Sequence, residues 1–322
     1  ALWPICPPRY FWTILSLKLS SYFAMKNTPL VGLVSNFWGA VHYAPFFFLS
    51  VLDLADMTEV APPSLTEKTA RVQDAIRQQP ADDKLRIHLF QLYAQDGRWQ
   101  KALAQIQIAA QLSSDHQLLA QAYRLAIRAE LFREDVFLGL RSPSILGQPE
   151  QWVSYLKEAL LADAAKQEAK ARDLRMLALD EASAVPGRLH AQPFEWIADA
   201  DARLGPVLEV FVNGAYYWLP FDAISELRLE APADLRDLVW MPAQLTLVNE
   251  GKHAVLLPAR YPLLGDGIED GHRQSRVTTW VERGSEPVGM GVKLLVTDGA
   301  EISMLDLRHL QLDHALTETS QD

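Results

Sequence analysis

Apolar residues from about 64 to 180 recur three and four positions apart, the spacing of helices buried on one side. Ser64 followed by Glu67 predicts a capping box at the first helix start. Val72, Ala75 and Ile76 make a first stripe, which Pro80 stops. Leu85, Leu89, Leu92 and Tyr93 make a second, which Gly97 ends, and Trp99, Ala102, Leu103, Ile106 and Ala109 make a third. Further helices are expected over 116–137, 151–161 and 164–184, with the connection "LRSPSILGQP" after the first of these. "VPGR" at 185–188 then marks a boundary.

Beyond residue 189 the period changes. Short apolar and β-branched runs alternate with turn signals, as in antiparallel sheets. Val207–Val212 and 216–219 flank Asn213-Gly214, the strongest short hairpin cue. Strands are also expected at Ile224–Leu229, 244–249, 254–257, 277–282, 292–297 and 302–307, with turns at Glu250-Gly251 and Asp298-Gly299. The fold class expected is α+β, with a helical domain at 57–188 and a β-rich antiparallel domain at 189–322.

The helical half fits a repeat template. Tyr93, Gly97, Trp99, Ala102, Ile106 and Ala109 follow the tetratricopeptide order, and Ser114 stands 34 residues after Pro80, one period of that repeat. Stacked helix pairs form concave surfaces that hold partner helices. Arg86, Gln91, Tyr93 and Trp99 are candidate lining residues, although the repeat itself wants Tyr93 and Trp99 in its core.

Composition narrows the classes. The 322 residues are 49% hydrophobic and 22% charged, as in globular chains, and the net charge of −10 offers no broad basic field for nucleic acid or anionic lipid. Cys6 is the only cysteine, which excludes a disulfide framework and a cysteine zinc site. Residues 1–56 differ from the rest, with twelve aromatics but only five charges, and 27–52 carry no charge. That run is long enough to cross a bilayer, but Pro29, Asn36, His42 and Pro45 interrupt it. A membrane segment within 10–52, a targeting segment and a spurious extension upstream of Met57 compete, and the last is favoured.

Candidate chemistry concentrates in "FEWIADADARLGPVLEVFVNGAYYWLPF", residues 194–221. Asp199 and Asp201 form a D-x-D pair, with Glu195 one turn earlier if the segment is helical. Such oxygens suit a divalent metal, so a metal-assisted hydrolase is one alternative. The favoured reading is a structural corner: Arg203 neutralises the acids, Phe194 and Trp196 plug the domain junction, and Gly205-Pro206 turns the chain into the hairpin. Tyr216, Tyr217 and Trp218 then point alternately to opposite faces of the sheet. Asp234, Arg236 and Asp237 read as a locking turn, and Arg260 as a cation that meets one of those carboxylates. No H-E-x-x-H, G-x-S-x-G or phosphate loop is present, and no histidines stand at i, i+4.

Several uncommon strings occur in one order: "PADDKLRIHLFQLYAQDGRWQKALAQI", "LGQPEQW", the 194–221 stretch, "APADLRDLVWMPAQLTL", "LPARYP", "TTW" and "LLVTDG". From Ser64 to Leu312 the chain resembles the ImpE family, also called SciE or TagJ, of type VI secretion accessory proteins. The family's glycine-rich string is represented by "GMGVKLL", and the segment before Met57 has no counterpart in the pattern. The resemblance implies a cytosolic scaffold that binds the small sheath subunit, TssB, and through it meets the ClpV unfoldase. It implies no enzymatic activity and no cofactor.

Overall fold

The computed structural model describes residues 63–148, 150–284 and 286–314. The readings of residues 1–56 lie outside them. Among the described residues no helix is long and apolar enough to cross a membrane.

Among the described residues six helices form the first half: α1 Leu65–Gln78, α2 Asp83–Gln95, α3 Trp99–Leu112, α4 Gln117–Phe137, α5 Gln151–Ala164 and α6 Glu168–Glu181. Local chemistry sets their ends. The Glu67 amide donates to Ser64 Oγ at 3.1 Å, and the Ser64 amide donates to Glu67 Oε2 at 2.8 Å, closing the expected capping box. Asp82 Oδ1 accepts from the Lys84 and Leu85 amides at the start of α2. That helix ends in a Schellman pair, Arg98 N to Tyr93 O and Gly97 N to Ala94 O.

The strands are β1 Ser144–Ile145, β2 Gly187–Leu189, β3 Gln192–Phe194, β4 Ile197–Asp199, β5 Val207–Val212, β6 Ala215–Pro220, β7 Ile224–Leu229, β8 Trp240–Leu247, β9 Lys252–Pro258, β10 Thr278–Arg283, β11 Glu286–Gly291, β12 Leu294–Thr297, β13 Glu301–Ser303 and β14 His309–Leu312. A short helix, α7 Asp270–Arg273, precedes β10. Nine strands make one sheet in the order β1-β6-β5-β9-β8-β7-β14-β2-β3, β10 pairs with β11, and β4 joins β12 and β13. The molecule is therefore α+β with a mixed sheet. Among the described residues the one parallel pairing, β1 against β6, comes from a strand that the helical half contributes.

The hairpin β5–β6 forms as its sequence dictates, with Asn213 and Gly214 both at positive φ. Alternation then sorts side chains between two cores. Val207, Phe211, Tyr216 and Trp218 face the helices, where they join Leu92, Trp99, Ile127, Leu156 and Trp240. Leu208, Val210, Val212 and Leu219 face the other way, with Leu227, Leu245, Leu257 and Leu310. Tyr217 packs on that second core, so the alternation expected for residues 216–218 holds. One apolar cluster runs from Leu65 to Val296, across the boundary expected at 188.

Several elements depart from the sequence pattern. The Asp199 segment is a strand, so Glu195 is not stacked one helical turn below it; Glu195 is exposed and its amide donates to Asp298 Oδ1 at 2.8 Å. β1, β2, β3, β4, β11 and β14 were not expected. β11 pairs locally with β10; the others have only two to four residues, and long-range pairing rather than a local apolar run defines most of them, as in Leu189 with Leu310 and Asp199 with Leu295. The 302–307 run is a strand only to Ser303; Met304 and Leu307 are buried from a turn instead.

Candidate functional site

β5 is buried along its whole length, yet its third residue is Glu209. Strand alternation aims Glu209 at the helices, and four donors meet it. Arg133 of α4 gives Nε to Oε1 at 2.7 Å and Nη2 to Oε2 at 2.8 Å. Lys293 Nζ reaches Oε2 at 2.6 Å, and the Tyr216 hydroxyl donates to Oε1 at 2.5 Å. Trp218 Nε1 donates in turn to the Tyr216 oxygen at 2.7 Å. Burial alone would raise the Glu209 pKa, but Arg133 and Lys293 outweigh it and hold the carboxylate well below its usual range.

The network extends both ways. Arg133 also bonds Glu130 Oε1 at 2.8 Å and the Arg260 carbonyl at 2.9 Å, and Glu130 Oε2 accepts from Trp240 Nε1 at 3.0 Å. Lys293 Nζ lies 2.8 Å from Asp199 Oδ2, while Asp199 Oδ1 accepts from the Tyr261 hydroxyl and the Asp201 amide. Burial raises the Asp199 pKa to about 6, with Lys293 opposing and Asp201 reinforcing the shift. Asp201 takes a fork from Arg203 at 2.9 and 2.6 Å and the Gly289 amide at 2.9 Å. Burial pushes its pKa up, but Arg203 reverses the shift and lowers it. Gly289 is required here: a Cβ would stand 2.3 Å from the Tyr261 ring. Arg203 and Arg133 both lie over the Phe137 ring, at 4.8 and 5.6 Å.

Four carboxylates, Glu130, Asp199, Asp201 and Glu209, thus meet three cations, Arg133, Arg203 and Lys293, and the buried Arg260 guanidinium adds a fourth positive charge whose hydrogen bonds go to backbone carbonyls. All are buried except Arg203, whose side chain is 12% exposed. The charges balance within a water-poor interior, where an unmatched one would cost several kcal/mol, roughly 3–5. The network fixes how α4 sits on the sheet, because a shift of one turn would separate Arg133 from both Glu209 and the Arg260 carbonyl.

The expected corner residues therefore fall in different places. Asp199, Asp201 and Arg203 join the network, Phe194 and Trp196 are buried in different apolar clusters, and Glu195 stands in solvent. Asp199 and Asp201 have no exposed surface, and their neutralisation by Lys293 and Arg203 is internal. Among the described residues no group of three or more His, Cys, Asp or Glu is placed to hold a metal.

Arg260 does not meet the 234–237 carboxylates, as the sequence suggested. Its guanidinium donates to Gln95 O at 2.6 Å, to Ala94 O at 2.8 Å and to Arg273 O, so it caps the C-terminus of α2. Burial lowers its pKa to about 10, with Glu130 acting against that shift. The 234–237 turn closes on itself: Asp237 Oδ2 accepts the Ala233 and Asp234 amides, and Asp234 Oδ1 accepts the Arg236 amide.

The four candidate groove residues are not brought together on one open face. Gln91 is buried and donates to Asp234 Oδ1 at 2.7 Å. The Tyr93 hydroxyl accepts from Gln73 Nε2, and Trp99 Nε1 donates to Glu134 Oε1. Arg86 is half-buried and bonds Gln105 and the Pro80 carbonyl. The chain's own 230s turn fills the space beside α2, where Gln95 also donates to Leu235 O.

Open space lies instead on either side of a contact between α4 and the hairpin, Leu125 against Gly214. One cleft, of about 740 Å³, is bounded by Ala122, Ala126, Phe211, Pro242, Ala254 and Leu256. The other, of about 770 Å³, is bounded by Arg124, Arg128, Leu131, Phe132 and Ala215.

Sequence reasoning missed Glu130, Arg133, Glu209, Tyr261 and Lys293. The signal was a single charge in each of two apolar runs, Glu209 in "VLEVFV" and Lys293 in "GVKLLV". A lone charge in a buried strand needs an opposite charge elsewhere, and these two are each other's partner.

Residues 191–311 match the family model described as ImpE protein. The chain is 46% identical over 249 residues to the type VI secretion system accessory component TagJ of Pseudomonas aeruginosa, spanning 77% of this chain and 88% of that one. Its fold is similar to the crystal structure of protein VPA1032 from Vibrio parahaemolyticus, at a TM-score of 0.72 and 23% identity, covering 78% of this chain and 95% of the other.

Proposed function

Because this chain belongs to the ImpE family, we propose that it is a non-enzymatic, cytoplasmic accessory component of type VI secretion. In this reading it binds the small sheath subunit, TssB, and through it is linked to the ClpV unfoldase. The observation that carries the proposal is the likeness, over most of both chains, to a relative named as an accessory component of that system.

The structure is compatible with a scaffold. Its most concentrated polar chemistry is buried and charge-balanced, whereas its clefts lie at the surface between a helix and a sheet. We read α2 and α3 as one tetratricopeptide-like hairpin, since Tyr93, Trp99, Ala102, Ile106 and Ala109 are all buried as that repeat requires. In the same reading, 57–188 is the interaction half and 189–322 the β-rich half that fixes its geometry. Calorimetric titration of the full chain with purified small sheath subunit tests the proposal. Binding at or below about 10 μM, near −7 kcal/mol, is expected; no heat at several times that concentration would count decisively against it.

A further inference from the structure

A pocket of about 390 Å³ opens where α1, α2, the 230s turn and the residues just after α7 meet. Long-range bonds hold its walls together. The Leu65 amide at the head of α1 donates to Asp270 Oδ2 of α7 at 2.7 Å, and Lys68 Nζ of α1 reaches Gln274 Oε1 at 3.3 Å. Ser275, at positive φ, donates from Oγ to the Leu238 carbonyl at 2.6 Å, which seats the end of α7 against the 230s turn. The floor between these walls is apolar, made by Val72, Leu92, Leu235 and Leu238.

The charge of this pocket is one-sided. Lys68, Arg71 and Arg276 line it and no Asp or Glu does, although the chain as a whole carries −10. Arg71 and Arg276 are exposed, and among the described residues neither side chain makes a hydrogen bond or an ion pair. Inside the protein, by contrast, Arg203 and Lys293 each have a carboxylate. His88 also lines the pocket, but burial lowers its pKa against the pull of Asp234, so at neutral pH it presents an uncharged ring.

We infer that this pocket binds a small phosphate monoester, its phosphate held by Lys68, Arg71 and Arg276 and its apolar or aromatic body laid on Val72, Leu92, Leu235 and Leu238. Cations gathered in a cleft with low-dielectric walls focus their field on an anion, and guanidinium forks match phosphate oxygens. A phosphate monoester carries about −1.5 to −2 at pH 7, which answers three cations better than the single charge of a carboxylate. The volume stands near the lower end of the range for small-molecule pockets, about 300–1,000 Å³, and so selects a compact ligand. Both lining amides are already engaged, Gln274 with Lys68 and Gln95 with the Leu235 carbonyl, which leaves little to read hydroxyl groups on the ligand body. The floor therefore favours an aryl or alkyl body over a sugar. This inference goes beyond the secretion reading and does not depend on it.

The test is calorimetric titration of the full chain with 1-naphthyl phosphate, compared with inorganic phosphate, glucose 6-phosphate and 1-naphthoate. A Kd at or below about 1 mM that weakens as salt is raised is expected for 1-naphthyl phosphate, with each of the other three about threefold weaker or more. Arg71→Gln/Arg276→Gln should weaken 1-naphthyl phosphate about tenfold or more, and Lys68→Met about threefold. Thermal melting checks the fold of both variants; the two arginines are exposed, so an unchanged melting temperature is expected for the first. No heat from the wild type with 1-naphthyl phosphate at about 10 mM, or equal binding by the folded double variant, would overturn the site. Equal affinity for 1-naphthoate would overturn the assignment to phosphate. Equal affinity for inorganic phosphate or glucose 6-phosphate would overturn the role of the apolar floor.

Discussion

Replacing Arg133 with Met removes the central cation of the buried network without opening a large hole. The guanidinium makes four hydrogen bonds, two to Glu209, one to Glu130 and one to the Arg260 carbonyl. Glu209 keeps Lys293 and Tyr216, but Glu130 keeps only Trp240 among those partners. The variant therefore buries one carboxylate more than it has cations, and breaking a buried pair in this way costs about 3–5 kcal/mol. For a domain of this size each kcal/mol shifts the midpoint by about 2–4 °C, so a drop of roughly 6–20 °C in Tm is expected. Urea unfolding followed by tryptophan fluorescence reads it directly, since Trp218 and Trp240 both belong to the network. Glu209→Gln supplies the second side of a double-mutant cycle. If the charges compensate each other, the double variant will be more stable than the two single losses summed, by more than about 1 kcal/mol. A single-variant cost below about 1 kcal/mol, or strict additivity, would refute the claim that this network fixes α4 on the sheet.

Asp199 gives the protein a pH dependence of defined sign. Its pKa is raised to about 6 in the folded state, so the native state binds the proton more tightly than the unfolded chain, and stability falls as pH rises through that window. Between pH 5 and 7 this group should cost about 1–1.5 kcal/mol, and Asp199→Asn should flatten urea midpoints measured across that range. Gly289→Ala would drive a methyl into Tyr261 and disturb the amide that Asp201 accepts, so a loss of about 2 kcal/mol or more is expected in thermal melting. Ser64→Ala should cost only about 1 kcal/mol, visible as faster amide exchange in the first turn of α1.

Much of the fold was legible because it rests on local rules. The Ser64 cap, the stop after α2 and the Asn213-Gly214 turn are set within a few residues, so the pattern that predicts them is also the physics that forms them. The short strands were not legible. Gly187–Leu189 and His309–Leu312 exist because they find each other across more than a hundred residues, and neither is long enough to show a period. The candidate corner was legible in part: Asp201 pairs with Arg203 two residues on, while the partners of Asp199 are Tyr261 and Lys293.

By itself, the sequence determined where the six long helices and most of the longer strands lie, that Asp201 has a cation at hand, and which family the chain resembles. Each follows from short-range spacing or from the order of uncommon strings. Only the tertiary structure decided that Glu209, Arg133 and Lys293 neutralise one another, that the 230s turn fills the space beside α2, and that Arg124 and Arg128 are exposed. Charge pairing and exposure depend on which distant surfaces the folded chain brings together. In water-poor surroundings a carboxylate must find its cation, and on the surface an arginine need not.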